Sequence, residues 1–193
     1  MIPQYLNDLN LRQVFAPYTT SVVPYIQEST SDEHIVDSES MKISGFVSST
    51  FGQDEDLADK YFTVENSSGH PYALLQIDNG LVPVHSTKKC DCAIADDTHL
   101  CLIEFKANAT SNNPSTIKKN YQKAINQLSA TINIFNTQYN TNAQDIADLR
   151  SVEAFVCFKK GYVLLTSSQM NYQVAFAASN NGIPLSFARK KVI

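Results

Sequence analysis

The sequence predicts an α/β domain with a mixed central β-sheet flanked by helices. Three observations carry this expectation. Pro114–Tyr139 holds a single apolar stripe at helical spacing. Short apolar runs bounded by turn residues lie on either side of it. Apolar residues make up 43% and charged residues 18% of the 193, which is enough to build a core, and at ~100–200 residues per domain the chain is one domain. An acidic, partly helical N-terminal extension, 1–53, is expected to precede the α/β domain at 54–193.

The elements follow in order. Residues 3–16 read as a short helix ended by Pro17, with Tyr5, Leu6, Leu9 and Val14 loosely periodic. Residues 28–65 hold ten Asp/Glu against two Lys. Asp54–Phe62 within them is a short helix whose acidic start suits a helix N-terminus. Strands are expected at Pro71–Asp78 and Leu81–His85, joined by Asn79-Gly80. Cys90–Ala95 and Leu100–Lys106 form a tight hairpin about Asp96-Asp97-Thr98-His99. Asn113 caps the long helix and Pro114 takes its first position. Its stripe is Ile117, Tyr121, Ala124, Leu128, Ile132 and Phe135. A polar linker, 140–150, with room for a helical turn, leads to strands at Val152–Phe158, Tyr162–Thr166, Tyr172–Ala178 and Ile183–Ala188.

Charge is unevenly spread. Residues 1–104 carry a net −11 and residues 105–193 a net +7, summing to the chain's −4. The split points either to a polyanion-binding face with an acidic segment able to meet a protein partner, or to two surfaces that neutralise each other in the fold. Met1–Asn10 has neither a basic start nor an apolar run, and no stretch reaches the ~18 apolar residues of a membrane span. The expectation is a cytoplasmic protein without membrane contact. No H-E-x-x-H, G-x-S-x-G, phosphate-cradling Gly-Lys-Ser/Thr loop or dinucleotide fingerprint is present, which disfavours hydrolase triads and nucleotide-driven motors.

The hairpin carries the chemistry. With its turn centred between Asp97 and Thr98, paired residue numbers sum to 195, so Asp91 faces Glu104 with Cβ atoms ~4.5–5.5 Å apart. Lys106 points to the same side, two residues on. Facing like charges in an apolar strand pair need a proton, the lysine or a divalent cation to neutralise them. Two converging carboxylates are what a hard cation such as Mg²⁺ uses.

Asp91, then Glu104-Phe105-Lys106 in this hydrophobic context, resembles the D…(D/E)-x-K core of the PD-(D/E)XK nuclease superfamily, the restriction-endonuclease-like fold. The resemblance spans about residues 54–160, and Cys90 stands where the motif's name has proline. It implies a Mg²⁺- or Mn²⁺-dependent nuclease acting on nucleic acid, DNA first. Asp91, Glu104 and the Phe105 carbonyl would be the metal ligands. Lys106 would be the catalytic lysine and Gln127, on the following helix, a further active-site residue. Lys118, Lys119 and Lys123 would hold the phosphodiester backbone. Many members carry an acidic residue on the first core helix, a role for which Glu55, Asp56 and Asp59 compete. Many act as dimers, which adds a homodimer to the expected partners.

Other readings stand beside this one. The fold can serve as a catalytically inactive module that binds a protein or nucleic-acid partner. Cys90, Cys92 and Cys101, read as sharing a sheet face, raise a thiolate zinc site with His85 or His99, without knuckle spacing. Arg189-Lys190-Lys191 reads as a frayed tail in preference to a phosphate contact.

Overall fold

The computed structural model describes residues 1–38, 42–47, 59–85, 87–139, 145–162 and 166–193. Its strands are β1 (Ile26–Ser29), β2 (Glu33–Ser38), β3 (Ile43–Phe46), β4 (Phe62–Glu65) and β5 (Tyr72–Gln76) in the first half. β6 (Cys92–Ala95), β7 (His99–Lys106), β8 (Ser151–Phe158), β9 (Leu185–Ser186) and β10 (Lys190–Val192) follow. The helices are α1 (Leu11–Phe15), α2 (Pro114–Tyr139), α3 (Ile146–Leu149) and α4 (Thr166–Ser179). Among the described residues, no helix is long and apolar enough to cross a membrane.

Two mixed sheets result, with helices covering the larger one. The six-stranded sheet runs β1-β5-β6-β7-β8-β9 and the four-stranded sheet β10-β4-β2-β3. β6 and β7 pair antiparallel as a hairpin; β7 and β8 pair parallel, which requires the crossover that α2 supplies. Side chains alternate across β7. Leu100 and Leu102 join the helix-side core, while Cys101, Ile103 and Phe105 join the core between the sheets. Glu104 and Lys106 therefore belong to the helix side. The predicted stripe of α2 is buried throughout, with Leu128 and Phe135 fully covered. Asn113 Oδ1 accepts the Ser115 N–H at 2.9 Å, the expected cap.

The described part of residues 1–53 is woven into this architecture. Leu6, Leu9, Val14 and Phe15 fill the helix-side core, β1 borders the large sheet, and β2 and β3 build half of the small one. The helical reading of 3–16 corresponds to a 3₁₀ segment, Gln4–Leu9, followed by α1. Among the described residues three ion pairs join the acidic and basic halves, Glu104–Lys106, Asp8–Arg150 and Glu65–Lys190.

Several local expectations need correction. Leu81–His85 is not a strand: Leu81 N–H returns to the Gln76 carbonyl and Val82 N–H to that of Ile77, leaving only one isolated bridge. A Cβ on Gly80 would sit 2.3 Å from the Gln76 oxygen, so this tight return demands glycine. Tyr172–Ala178 lies in α4, where Tyr172 and Phe176, four apart, share the face that packs inward. Ile183–Ala188 shrinks to the two-residue β9. Of the expected helix at 54–62, residues 54–58 lie outside the described residues, and Phe62 begins β4 instead. The expected strand at Tyr162–Thr166 is described only at its two ends, with Thr166 opening α4. Arg189-Lys190-Lys191 is no frayed tail. Arg189 donates to the Tyr61 carbonyl at 2.9 Å, Lys190 pairs with Glu65, and Lys191 pairs with Glu153 at 2.6 Å as β10 adds to β4.

Candidate active site

The hairpin register is Cys92↔Ile103 and Ile94↔Cys101. One further step puts Asp91 opposite Glu104, as the sum of 195 requires. Asp91 sits just ahead of β6, and its carbonyl accepts from both Ile77 N–H (3.1 Å) and Asp78 N–H (3.0 Å). This clamp fixes the backbone. The side chain is held separately: Asp91 Oδ2 accepts the Phe105 N–H at 2.5 Å. Because a strand residue presents its N–H and C=O to the same side, the Phe105 carbonyl lies on the edge beside Asp91.

Glu104 is 1% exposed and Asp91 7%. Glu104 Oε1 accepts from Lys106 Nζ. Its Oε2 is buried with no hydrogen-bond partner among the described residues. Such an orphaned carboxylate oxygen costs on the order of 1–3 kcal/mol or more and calls for an explanation. Lys106 Nζ also donates to Gln127 Oε1 at 3.2 Å, and Gln127 Nε2 donates to the Lys89 carbonyl at 3.0 Å. Lys89 is itself buried, pairing with Asp78 at 3.0 Å and donating to the Val84 carbonyl at 2.9 Å. A chain of contacts thus runs from the 78–89 turn through α2 to the lysine beside Glu104.

Electrostatics single out the same group. Burial pushes the Glu104 carboxyl up to about 7; Lys106 and Lys123 pull against this and Asp37 adds to it. Burial, then the charges of Glu104 and Asp37, push Asp91 well above the usual carboxylate range, opposed by the Phe105 N–H and Lys106. Asp37, half-buried on β2 and accepting from Ser44 Oγ at 3.4 Å, is a contributor that sequence reasoning missed. Its only signal was the alternation Glu33, Ile35, Asp37 inside an acidic stretch. Lys89 was missed too, since nothing marks one of two adjacent lysines as buried.

The donors here are hard oxygens: two buried carboxyls, one with a free lone-pair atom, a third carboxyl on β2 and a backbone carbonyl. That set fits a hard divalent cation, which would neutralise charges the protein otherwise holds at a cost. Lys119, Lys123 and Gln127 recur at four-residue spacing on α2 and line one cleft, whereas Lys118 is exposed outside that lining. Glu55 and Asp56 lie outside the described residues. Asp59 is exposed, and its carbonyl accepts the Lys160 N–H at 3.0 Å.

The cysteines do not converge. Cys90 belongs to the helix-side core and Cys92 and Cys101 to the inter-sheet core, because the bend at Asp91 breaks the alternation that would align them. Burial raises all four thiols, Cys101 and Cys157 to about 12, so they remain protonated. A different cluster, His70, Asp96 and Asp97, brings ligand atoms within 4.8 Å of one another at the hairpin tip. Asp96 is already engaged by the N–H groups of Thr98 and His99 at 2.7 Å each. The four residues of β6 lie between Asp91 and this tip, a span of roughly 17 Å over five residue steps. Comparison with protein-family models, curated proteins and solved structures finds no match for this chain.

Proposed function

We propose that the chain is a metal-dependent nuclease of restriction-endonuclease-like type that hydrolyses phosphodiester bonds in DNA. The single observation that carries the reading is the buried Glu104, with one oxygen on Lys106 and the other unpartnered, facing Asp91 across the open end of a hairpin. Asp91, Glu104 and the Phe105 carbonyl would hold Mg²⁺ or Mn²⁺, with Asp37 adding negative charge from the second sheet. When bound, the cation would supply Lewis acidity toward the scissile phosphate and the attacking water.

The chain's own residues do the rest. Phe105 N–H and the clamp on its carbonyl hold Asp91 in one orientation before substrate arrives, which is the preorganisation such sites need. Lys106, kept in place by Glu104 and Gln127, puts an ammonium where charge develops on the phosphate and where a water must be oriented. Gln127 is a positioning residue: it acts on Lys106 through one amide atom and is anchored at Lys89 by the other. Lys119 and Lys123 face the phosphodiester backbone.

The rival reading is an inactive module of the same architecture, favoured by one observation: Lys106 Nζ pairs directly with Glu104 Oε1, so the lysine itself engages one of the oxygens a cation would use. Thermal unfolding with Mn²⁺ and with EDTA separates the two. The nuclease reading expects stabilisation of several degrees by millimolar Mn²⁺, abolished in Asp91→Asn. An identical melting temperature with and without Mn²⁺ would favour the module.

A further inference from the structure

A ring of polar contacts, completed by the Phe105–Lys106 peptide bond, closes beside the carboxylates. Lys106 Nζ donates to Gln127 Oε1 at 3.2 Å, and Gln127 Nε2 donates to the Lys89 carbonyl at 3.0 Å. Lys89 Nζ pairs with Asp78 Oδ1 at 3.0 Å, and the Asp78 N–H donates to the Asp91 carbonyl, also at 3.0 Å. Asp91 Oδ2 accepts the N–H of Phe105, and the next residue is Lys106. We propose that Lys89 is a positioning residue for Lys106: its ion pair with Asp78 locks the link that couples the lysine to the segment carrying Asp91. This rests on the nuclease reading.

Stability alone does not call for a lysine at this position. The Lys89 side chain is 6% exposed, and replacing a buried ion pair by apolar residues of similar volume is often neutral or stabilising. What the pair fixes is the direction of a carbonyl. Lys89 Nζ reaches back to Asp78 and also donates to the Val84 carbonyl at 2.9 Å. On the next residue, Cys90 N–H donates to Thr131 Oγ1 at 2.7 Å, and that hydroxyl donates to the Gln127 carbonyl at 3.1 Å. Lys89–Cys90 is therefore tied to α2 on one side and to the 78–84 loop on the other. The pinned Lys89 carbonyl takes the NH₂ end of the Gln127 amide, which leaves Oε1 for Lys106. Turned over, the same amide would aim its NH₂ at an ammonium, which has no acceptor to offer. Loosening Lys89 frees the amide to turn. Lys106 is then held by Glu104 alone among the described residues and drifts from the position where charge develops on the phosphate.

The test uses Lys89→Met, which keeps the stem and the backbone carbonyl and removes the ammonium. Asp78→Asn, which removes the partner charge, stands in should Lys89→Met fail to fold. Asp8→Ala is the structural control: it acts on Arg150 at the start of β8, whereas Lys106 lies level with Phe158 at its end. In EDTA, nitrogen-15 NMR follows the Lys106 ammonium and the Gln127 side-chain amide. Both signals are expected to move or broaden in Lys89→Met and to stay in place in Asp8→Ala. With plasmid and Mn²⁺, Lys89→Met is expected to lower kcat about ten- to a hundredfold, with KM within about twofold, and to cause no further fall in a Lys106→Ala background. Unchanged NMR signals in the folded variant overturn the proposal. So does a loss of kcat that multiplies with that of Lys106→Ala or is matched by Asp8→Ala, and so does unfolding of both Lys89→Met and Asp78→Asn, which would make the pair structural. The nuclease reading fails separately. NMR changes without any cutting by the wild type keep Lys89 as the anchor of Lys106 and remove the enzyme, while cutting with unchanged signals does the reverse.

Discussion

Replacing Glu104 by Gln should stabilise the metal-free protein by an amount that grows as pH rises from about 4.5 to about 7 and is complete above that. The Glu104 carboxyl is raised from 4.5 to about 7 because burial penalises its charge. Between those values the folded state binds more protons than the unfolded one, so stability falls as pH rises through this window, and the full cost is present above it. At ~1.36 kcal/mol per pH unit, the rise amounts to roughly 3 kcal/mol. Gln has the shape of the protonated acid, still offers Lys106 an acceptor and removes the charge that presses on Asp91. In EDTA, urea unfolding of Glu104→Gln should therefore match the wild type near pH 4.5 and exceed it by roughly 3 kcal/mol at pH 8. For a chain of this size that corresponds to a melting temperature higher by about 6–12 °C. A variant that is destabilised equally at both pH values would refute the assignment of Glu104 as a buried, uncompensated carboxylate.

Three further outcomes follow from the same structure. Asp37→Asn should weaken Mn²⁺ stabilisation without abolishing it, because Asp37 adds charge from the second sheet; an unaltered Mn²⁺ titration would remove it from the site. Asp8→Ala leaves the Arg150 guanidinium, 1% exposed, buried without its carboxylate partner, and should cost about 3 kcal/mol by urea unfolding. Gly80→Ala drives a methyl group against the Gln76 carbonyl and should cost on the order of 1–3 kcal/mol, with the largest loss of amide protection at Leu81 and Val82 by hydrogen exchange.

The parts of the site legible in the sequence are those governed by local rules. A hairpin with a short tip fixes its own register, so Asp91 opposite Glu104 followed from counting, as did Lys106 on the same face. The start and apolar face of α2 were equally local, set by Asn113, Pro114 and a regular stripe. What escaped depends on distant partners. Asp37 reaches the site because β2 belongs to a second sheet stacked on the first, and no periodicity within 33–38 announces that. β10 forms because Lys190 finds Thr63 across the chain, so a basic terminus read alone resembles a tail. Tyr172–Ala178, which reads as a strand in the sequence, lies inside the helix at Thr166–Ser179. Its alanines and the four-residue spacing of Tyr172 and Phe176 were the better guide, since Val174 proves exposed.

The central claim is that Asp91, Glu104 and Lys106 form a metal-dependent phosphodiesterase site. Its most direct test incubates plasmid, single-stranded DNA and RNA with the protein in Mg²⁺, Mn²⁺ or EDTA, beside Lys106→Ala. The account predicts cutting of DNA with either metal, none in EDTA, and a loss of at least a hundredfold in the variant. Cutting that persists in EDTA or survives in Lys106→Ala, or no cutting of any substrate with either metal, would contradict it.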